Sequence, residues 1–217
     1  MYRNNDHSIK IWNIDKWRSD GTIKLPVAIN HCSVSPDKTS MVCVGDSSDI
    51  FLFDISTTGS FHHQATFTGS EDSSFSTAFS STSSMFAVAS QDGTVSVWDR
   101  RFARTTTPAT NSGKLKTLKT TRVRSPYGAA RLVKFSQGPI DLLIFTEQRE
   151  FIHLVDARTF EKTQILSVRE HEDSLRDSDI AGACFTADGK NIIVGTDRAI
   201  LQWASSSQNS VLTALGN

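Results

Sequence analysis

The chain has 217 residues, 38% hydrophobic and 21% charged, with 23 basic against 23 acidic side chains and no formal net charge. That balance suits a globular domain with a sizeable core, and it excludes both a disordered chain and a whole-molecule field that would steer it to nucleic acid. No apolar run reaches the ~18 residues of a spanning helix, and the start, Met1-Tyr2-Arg3-Asn4-Asn5-Asp6, is too polar for a secretion signal. The cysteines Cys32, Cys43 and Cys184 form no CxxC pair, so reduced buried thiols are expected, in an intracellular protein of the cytoplasm or nucleus.

Abundant serine and threonine, with Val, Ile and Phe in short runs, predict many strands and turns, an all-β chain. Residues 8–13 read as a strand and Thr22 to Leu25 as the next; two further strands of this first unit would lie upstream of Met1. Four complete units follow, around 27–67, 74–118, 128–166 and 180–214. The second is clearest: Phe75 to Phe79, Met85 to Ser90 and Thr94 to Trp98 alternate at period two, with a tight turn at Asp92-Gly93. Ser35-Pro36-Asp37-Lys38 and Thr186-Ala187-Asp188-Gly189 supply the turn between first and second strands in other units. Four strands per unit is the arithmetic of a β-propeller blade.

The units share a signature. An Asp stands six residues before a Trp in three places, Asp6 and Trp12, Asp92 and Trp98, Asp197 and Trp203. Degenerate copies have Phe53 before Asp54 and Val155 before Asp156, and the Trp-equivalent positions recur at intervals of about 41 to 57 residues. With Trp98-Asp99 as its best copy, the chain resembles the WD-repeat β-propeller family over essentially its whole length. The resemblance implies a hydrogen-bonded cluster of Asp92, Ser90 and Trp98, completed in that family by a His where this chain has Gly69-Ser70. In the last unit Asp197, Trp203 and His171 fit, while Gly195 takes the Ser position. A narrower resemblance runs from Ser125-Pro126-Tyr127-Gly128 through Asp141-Leu142-Leu143 to Val155-Asp156-Ala157-Arg158, which is similar to a "DLL" segment of a mostly fungal group of WD-repeat proteins.

The expected architecture is therefore a single domain over 1–217: four-stranded antiparallel blades, four full and one half, in an incomplete ring. A seven-bladed ring takes roughly 300 residues, so the chain is expected to be the C-terminal part of a larger propeller or the product of a truncated gene.

Candidate chemistry is sparse. The sequence holds no HExxH, GxSxG or GxxxxGK[ST] and no metal-spaced Cys or His cluster, so no enzyme activity, metal or cofactor is expected. His62-His63 reads as a pair on a solvated outer strand, and Glu170, Glu172, Asp173, Asp177 and Asp179 as an inter-blade loop. Ten basic residues and no acidic one lie between residues 100 and 134. They surround a flexible insertion over about 101–125, where Thr107-Pro108 and Ser125-Pro126 offer phosphorylation sites. The absence of aromatics among the bases from Lys114 to Arg124 favours a solvated loop over a nucleic-acid platform.

Trp98-Asp99-Arg100-Arg101 is similar to the box of WD-repeat receptors that dock on the adaptor of cullin-type ubiquitin ligases. That resemblance implies partner binding by Arg100 and Arg101, Arg101 projecting from the blade edge. The sequence thus points first to a non-catalytic protein-interaction scaffold. Its alternatives are a substrate receptor of a ubiquitin ligase and a basic-loop binder of nucleic acid or acidic lipid.

Overall fold

The structure is a computed structural model that describes residues 2–4, 6–101, 113–123, 127–137, 141–169 and 178–204. Five antiparallel meanders follow one another along the chain. Sheet I comprises β1 (Tyr2–Asn4), β2 (Ser8–Asn13) and β3 (Arg18–Lys24). Sheet II comprises β4 (Ile29–Val34), β5 (Ser40–Gly45), β6 (Asp49–Ile55) and β7 (Phe61–Thr68). In sheet III are β8 (Ser74–Phe79), β9 (Met85–Ser90), β10 (Thr94–Asp99) and β11 (Lys114–Lys119). Sheet IV contains β12 (Ala130–Phe135), β13 (Leu142–Glu147), β14 (Phe151–Asp156) and β15 (Thr163–Ser167); sheet V contains β16 (Ile180–Phe185), β17 (Asn191–Thr196) and β18 (Ile200–Ala204). The first strands β4, β8, β12 and β16 adjoin in series, so the sheets stack as propeller blades in an arc that does not close.

The stacking follows from alternation on strands buried on both faces. On β9, Phe86 and Val88 face sheet II, where Val42, Val44, Ile50 and Leu52 meet them; Ala87 and Ala89 face Val133, Leu143 and Phe145 of sheet IV. The central strands consequently read as continuous apolar runs, such as Phe86-Ala87-Val88-Ala89, while the outer strands β7 and β11 expose most of their polar residues. Each fully buried Phe, Val or Leu in these layers contributes roughly 1.5–3 kcal/mol of transfer free energy. A matching layer joins Ile144, Ile152 and Leu166 of sheet IV to Ile192, Val194 and Trp203 of sheet V. Ile9 of sheet I packs on Ile29, Met41, Cys43, Phe51 and Phe53 of sheet II.

Two details differ from the sequence reading. Sheet I has three strands, because Tyr2–Asn4 pairs with Ser8–Asn13; three residues without apolar alternation carry no periodic signal. The flexible stretch expected over about 101–125 contains a regular strand, β11, which closes sheet III against β10. The core of that insertion, residues 102–112, lies outside the described residues, as do the phosphorylation sites at Thr107 and Ser125 and the final strand expected after Ala204. Among the described residues no helix is long and apolar enough to cross a membrane.

Candidate interaction surface

With both faces of sheets II, III and IV occupied by neighbouring sheets, the side chains that these sheets offer for function lie at strand ends. The turns between first and second strands repeat one device. Ser35, Ser80, Ser136 and Thr186 each accept, through the side-chain oxygen, the backbone N–H of the residue that opens the second strand, at 3.0 to 3.1 Å. Lys38, Ser83 and Gly189 occupy the same turn position with φ of 60°, 60° and 70°, the left-handed region in which only glycine is at ease. These turns hold the ends of the blades rigid.

At the opposite strand ends lies the polar cluster predicted around Asp92. Asp92 accepts the Thr94 N–H at 2.9 Å, the Thr94 hydroxyl at 2.7 Å and the Glu71 N–H at 2.9 Å. Partial burial alone would raise its pKa; these bonds overcome it and hold the carboxyl below its usual value. The Ser90 hydroxyl, however, donates to the Ser73 carbonyl at 2.9 Å, and the buried Trp98 Nε1 has no hydrogen-bond partner among the described residues. With Gly69-Ser70 in place of Gly-His, no imidazole bridges Ser to Asp, and the serine turns to the backbone. Trp98 is held by packing instead: 1% exposed, it lies parallel to Phe86 and 4.7 Å from Phe67, with Lys114 Nζ 5.2 Å from its ring.

Phe53, Trp98 and Trp203 all face the preceding sheet and are buried. Trp12, whose sheet has no predecessor in this chain, stays 42% exposed. Asp6 hydrogen-bonds Ser8 and pairs with Lys10 at 3.4 Å, and Asp197 pairs with Arg198 at 3.7 Å. His171 lies outside the described residues, as do Glu170, Glu172, Asp173 and Asp177; Asp179 pairs with Arg149 at 2.6 Å.

Sheet IV contains a polar centre that sequence reasoning missed. Strand register places Glu147 where sheet III has Ser90, and His153 where it has Ser96. Glu147, 0% exposed, accepts from Thr121 N–H at 2.6 Å, from the Thr121 hydroxyl at 2.7 Å and from His153 Nε2 at 2.9 Å. His153 lies flat on Phe145, ring centroids 4.2 Å apart. Burial opposes ionisation of Glu147, but the bonds from His153 and Thr121 prevail and lower its pKa. The only sequence hint was an acid ending the apolar strand Leu142-Leu143-Ile144-Phe145-Thr146, and alternation alone does not distinguish a buried Glu from a strand-end surface residue.

The arginines after Trp98 diverge. Arg100 was grouped with Arg101 as partner-facing, yet it turns back across the blade boundary. Its side chain is only 17% exposed, bonds Asp37 Oδ2 at 2.9 Å, and also donates to Thr39 Oγ1 at 3.0 Å. From the other side, Asp37 N–H donates to Ser83 Oγ at 3.0 Å, so sheets II and III are stapled twice. Arg101 is 74% exposed and forks onto Asp99 at 3.1 and 2.7 Å. Sheet IV repeats this hook: Arg158, 70% exposed, forks onto Asp156 at 3.0 and 2.8 Å. In both hooks the arginine is the main cause of the lowered carboxylate pKa.

Other bases of the acid-free stretch find partners in sheets that follow or precede. Arg122 pairs with Glu150 and lies 5.0 Å from the Phe151 ring, and Arg131 lies 4.3 Å from the ring of Phe75. His62 and His63 sit exposed on the outer strand β7. Among the described residues no three His, Cys, Asp or Glu side chains gather as a metal site. A mixed-charge cleft of about 740 Å³ opens beside Asp92, between Glu71, Lys114 and Lys119.

Comparison with known proteins bears on this geometry. Residues 61–99 match the family described as "WD domain, G-beta repeat", a span from outer strand β7 through β10, so the sequence repeat runs out of phase with the sheet. Residues 128–167 match "Uncharacterised protein domain (DUF2415)", and thus cover the whole of sheet IV with its Glu147–His153 centre. A protein of Schizosaccharomyces pombe described as uncharacterized is 35% identical over 208 residues, 94% of this chain and 57% of its own length. An uncharacterized protein of Saccharomyces cerevisiae is 31% identical over 97 residues, 45% of this chain and 12% of its own. The chain spans little over half of the first relative and a small part of the second. These matches link it broadly to WD-repeat propeller proteins.

Proposed function

We propose that the chain is a non-catalytic protein-interaction scaffold, and that it belongs to the fungal WD-repeat group suggested by its "DLL" segment. The observation that carries the scaffold reading is the division of labour in the sheets. Apolar side chains meet those of neighbouring blades, and strand ends present polar groups fixed on rigid, repeated turns. Such ends can offer hydrogen-bonding partners a preorganised surface at little entropic cost.

A second, narrower reading is favoured by the doubled hook. Asp99-Arg100-Arg101 and Asp156-Ala157-Arg158 present exposed guanidinium groups in matching geometry on consecutive sheets, which suits a partner with acidic or carbonyl groups at two points. A ubiquitin-ligase adaptor would be such a partner. Affinity purification with quantitative mass spectrometry, comparing wild type with the Arg101→Glu/Arg158→Glu double variant, tests both. A stoichiometric partner lost with the double variant supports docking through the hooks, and its identity decides for or against the ligase. A partner retained by the variant leaves the scaffold and removes the hooks. Capture that collapses with modest added salt would instead point to nucleic acid or acidic lipid on the basic segment. Turnover of a small molecule by purified chain would overturn the scaffold reading.

A further inference from the structure

Cys32 on β4 and Cys43 on β5 stand directly opposite one another. The ladder fixes what kind of pair they are. The Ser35 N–H donates to the Ser40 carbonyl at 2.9 Å, which makes 35/40 a hydrogen-bonded pair. Such pairs alternate along an antiparallel ladder; with Val34 opposite Met41 and Ser33 opposite Val42, the cysteines fall at a non-hydrogen-bonded pair. These are the close positions, with Cα atoms about 4.5 Å apart, inside the roughly 4.4–6.8 Å that a disulfide spans.

Packing puts both thiols on one face. Cys43 is wholly buried in the layer between sheets I and II, and half-buried Cys32 packs against the same Ile9, Ile29 and Phe51 cluster. Burial is the main cause that raises the Cys43 pKa, and the neighbouring Cys32 thiol adds to it. Cys43 is therefore poorly suited to attack first, and the more accessible Cys32 is placed to do so. Cys184 is exposed on sheet V, across the arc from both.

We propose that Cys32 and Cys43 form a reversible redox pair, which hydrogen peroxide converts to a cross-strand disulfide between the two inner strands of sheet II. In the first step the Cys32 thiol ionises and its thiolate attacks peroxide and breaks the O–O bond, giving a sulfenic acid and hydroxide, which takes up the proton that the thiol released and becomes water. The Cys43 sulfur then attacks the Cys32 sulfur; the S–S bond forms, and the hydroxyl leaves as water with the Cys43 proton. Two thiols are oxidised and one peroxide is reduced to two waters. A low-molecular-weight thiol reverses the change by exchange. The bond would lock β4 to β5 on the face where sheet I docks.

The test treats the purified chain with hydrogen peroxide, alkylates remaining thiols under denaturing conditions, and maps tryptic peptides by mass spectrometry. Lys38 lies between the two cysteines, so a linked peptide pair is diagnostic. The expected result is loss of two of the three alkylatable thiols, with a Cys32–Cys43 linked peptide that dithiothreitol resolves. Cys184→Ser should keep that link. Cys32→Ser should abolish it and leave Cys43 alkylatable. Three outcomes overturn the proposal: Cys32 and Cys43 fully alkylated while Cys184 is oxidised, Cys32 carried to sulfinic acid without linkage, or cross-links that run only to Cys184. If Cys32→Ser fails to fold by circular dichroism, the wild-type and Cys184→Ser maps decide alone.

Discussion

Arg100 and Arg101 are neighbours in sequence with opposite expected roles, and truncating each to alanine separates them. Arg100 bonds Asp37, Thr39 and Ser40 across the boundary between sheets II and III. Hydrogen bonds to charged groups contribute about 1.5–3 kcal/mol where water is excluded, whereas exposed ion pairs contribute ~0–1 kcal/mol. Asp37 is 37% exposed, so solvent recovers part of the loss, and about 1.5 kcal/mol is expected for Arg100→Ala. For a chain of this size each kcal/mol moves the melting temperature by roughly 2–4 °C, so a drop of about 3–6 °C should appear in calorimetry. A double-mutant cycle with Asp37→Ala should return a coupling of about 1 kcal/mol.

The effect carries a pH signature. Burial alone would raise the Asp37 pKa, but bonds from Ser35, Arg100 and Thr39 bring it far below the ordinary carboxylate range. A carboxylate depressed in the folded state contributes its full stability above the unfolded value, near ~3.9, and loses it as pH falls toward the folded one. The gap between wild type and Arg100→Ala should therefore stay constant from neutrality to about pH 4 and narrow below it. A variant that melts with wild type at pH 7, or a gap that closes already at pH 6, would refute the staple.

Arg101→Ala should melt close to wild type, since its guanidinium is largely solvated and its fork onto Asp99 is an exposed ion pair; equal destabilisation of both arginine variants would mean the two are not distinguished. Trp98→Ala opens a cavity between sheets II and III and should cost about 3–5 kcal/mol in urea unfolding. Glu147→Ala leaves the buried His153 ring nitrogen without its acceptor and should cost about 1–3 kcal/mol, with Glu147→Gln appreciably milder; a neutral Glu147→Ala would show that the centre is hydrated. Lys38→Gly relieves a left-handed φ of 60° and Gly189→Ala imposes one at φ 70°; melts should move in opposite directions, by up to about 1 kcal/mol each.

Local patterning made the blades legible. Alternation in Phe75-Ser76-Thr77-Ala78-Phe79 and the Asp92-Gly93 turn depend on neighbours in the chain, and so do the recurring Asp-to-Trp spacing and the serines that cap the turns. Strand β1 escaped because three residues hold little more than one period of alternation and none of it apolar against polar, and β11 because a basic strand with one buried residue, Leu118, reads as a loop.

What the sequence by itself determined was the element type and the repeat, both carried by short-range period and composition. Tertiary structure decided which polar groups meet. Arg100 reaches Asp37 from 63 residues away, Thr121 reaches Glu147 from 26, and Cys32 opposes Cys43 only because the ladder sets that register. Those pairings depend on how one blade is rotated and stacked on the next. That geometry is set by apolar side chains interdigitating between sheets, and the polar residues at the strand ends take whichever partners the stacking brings within hydrogen-bond reach.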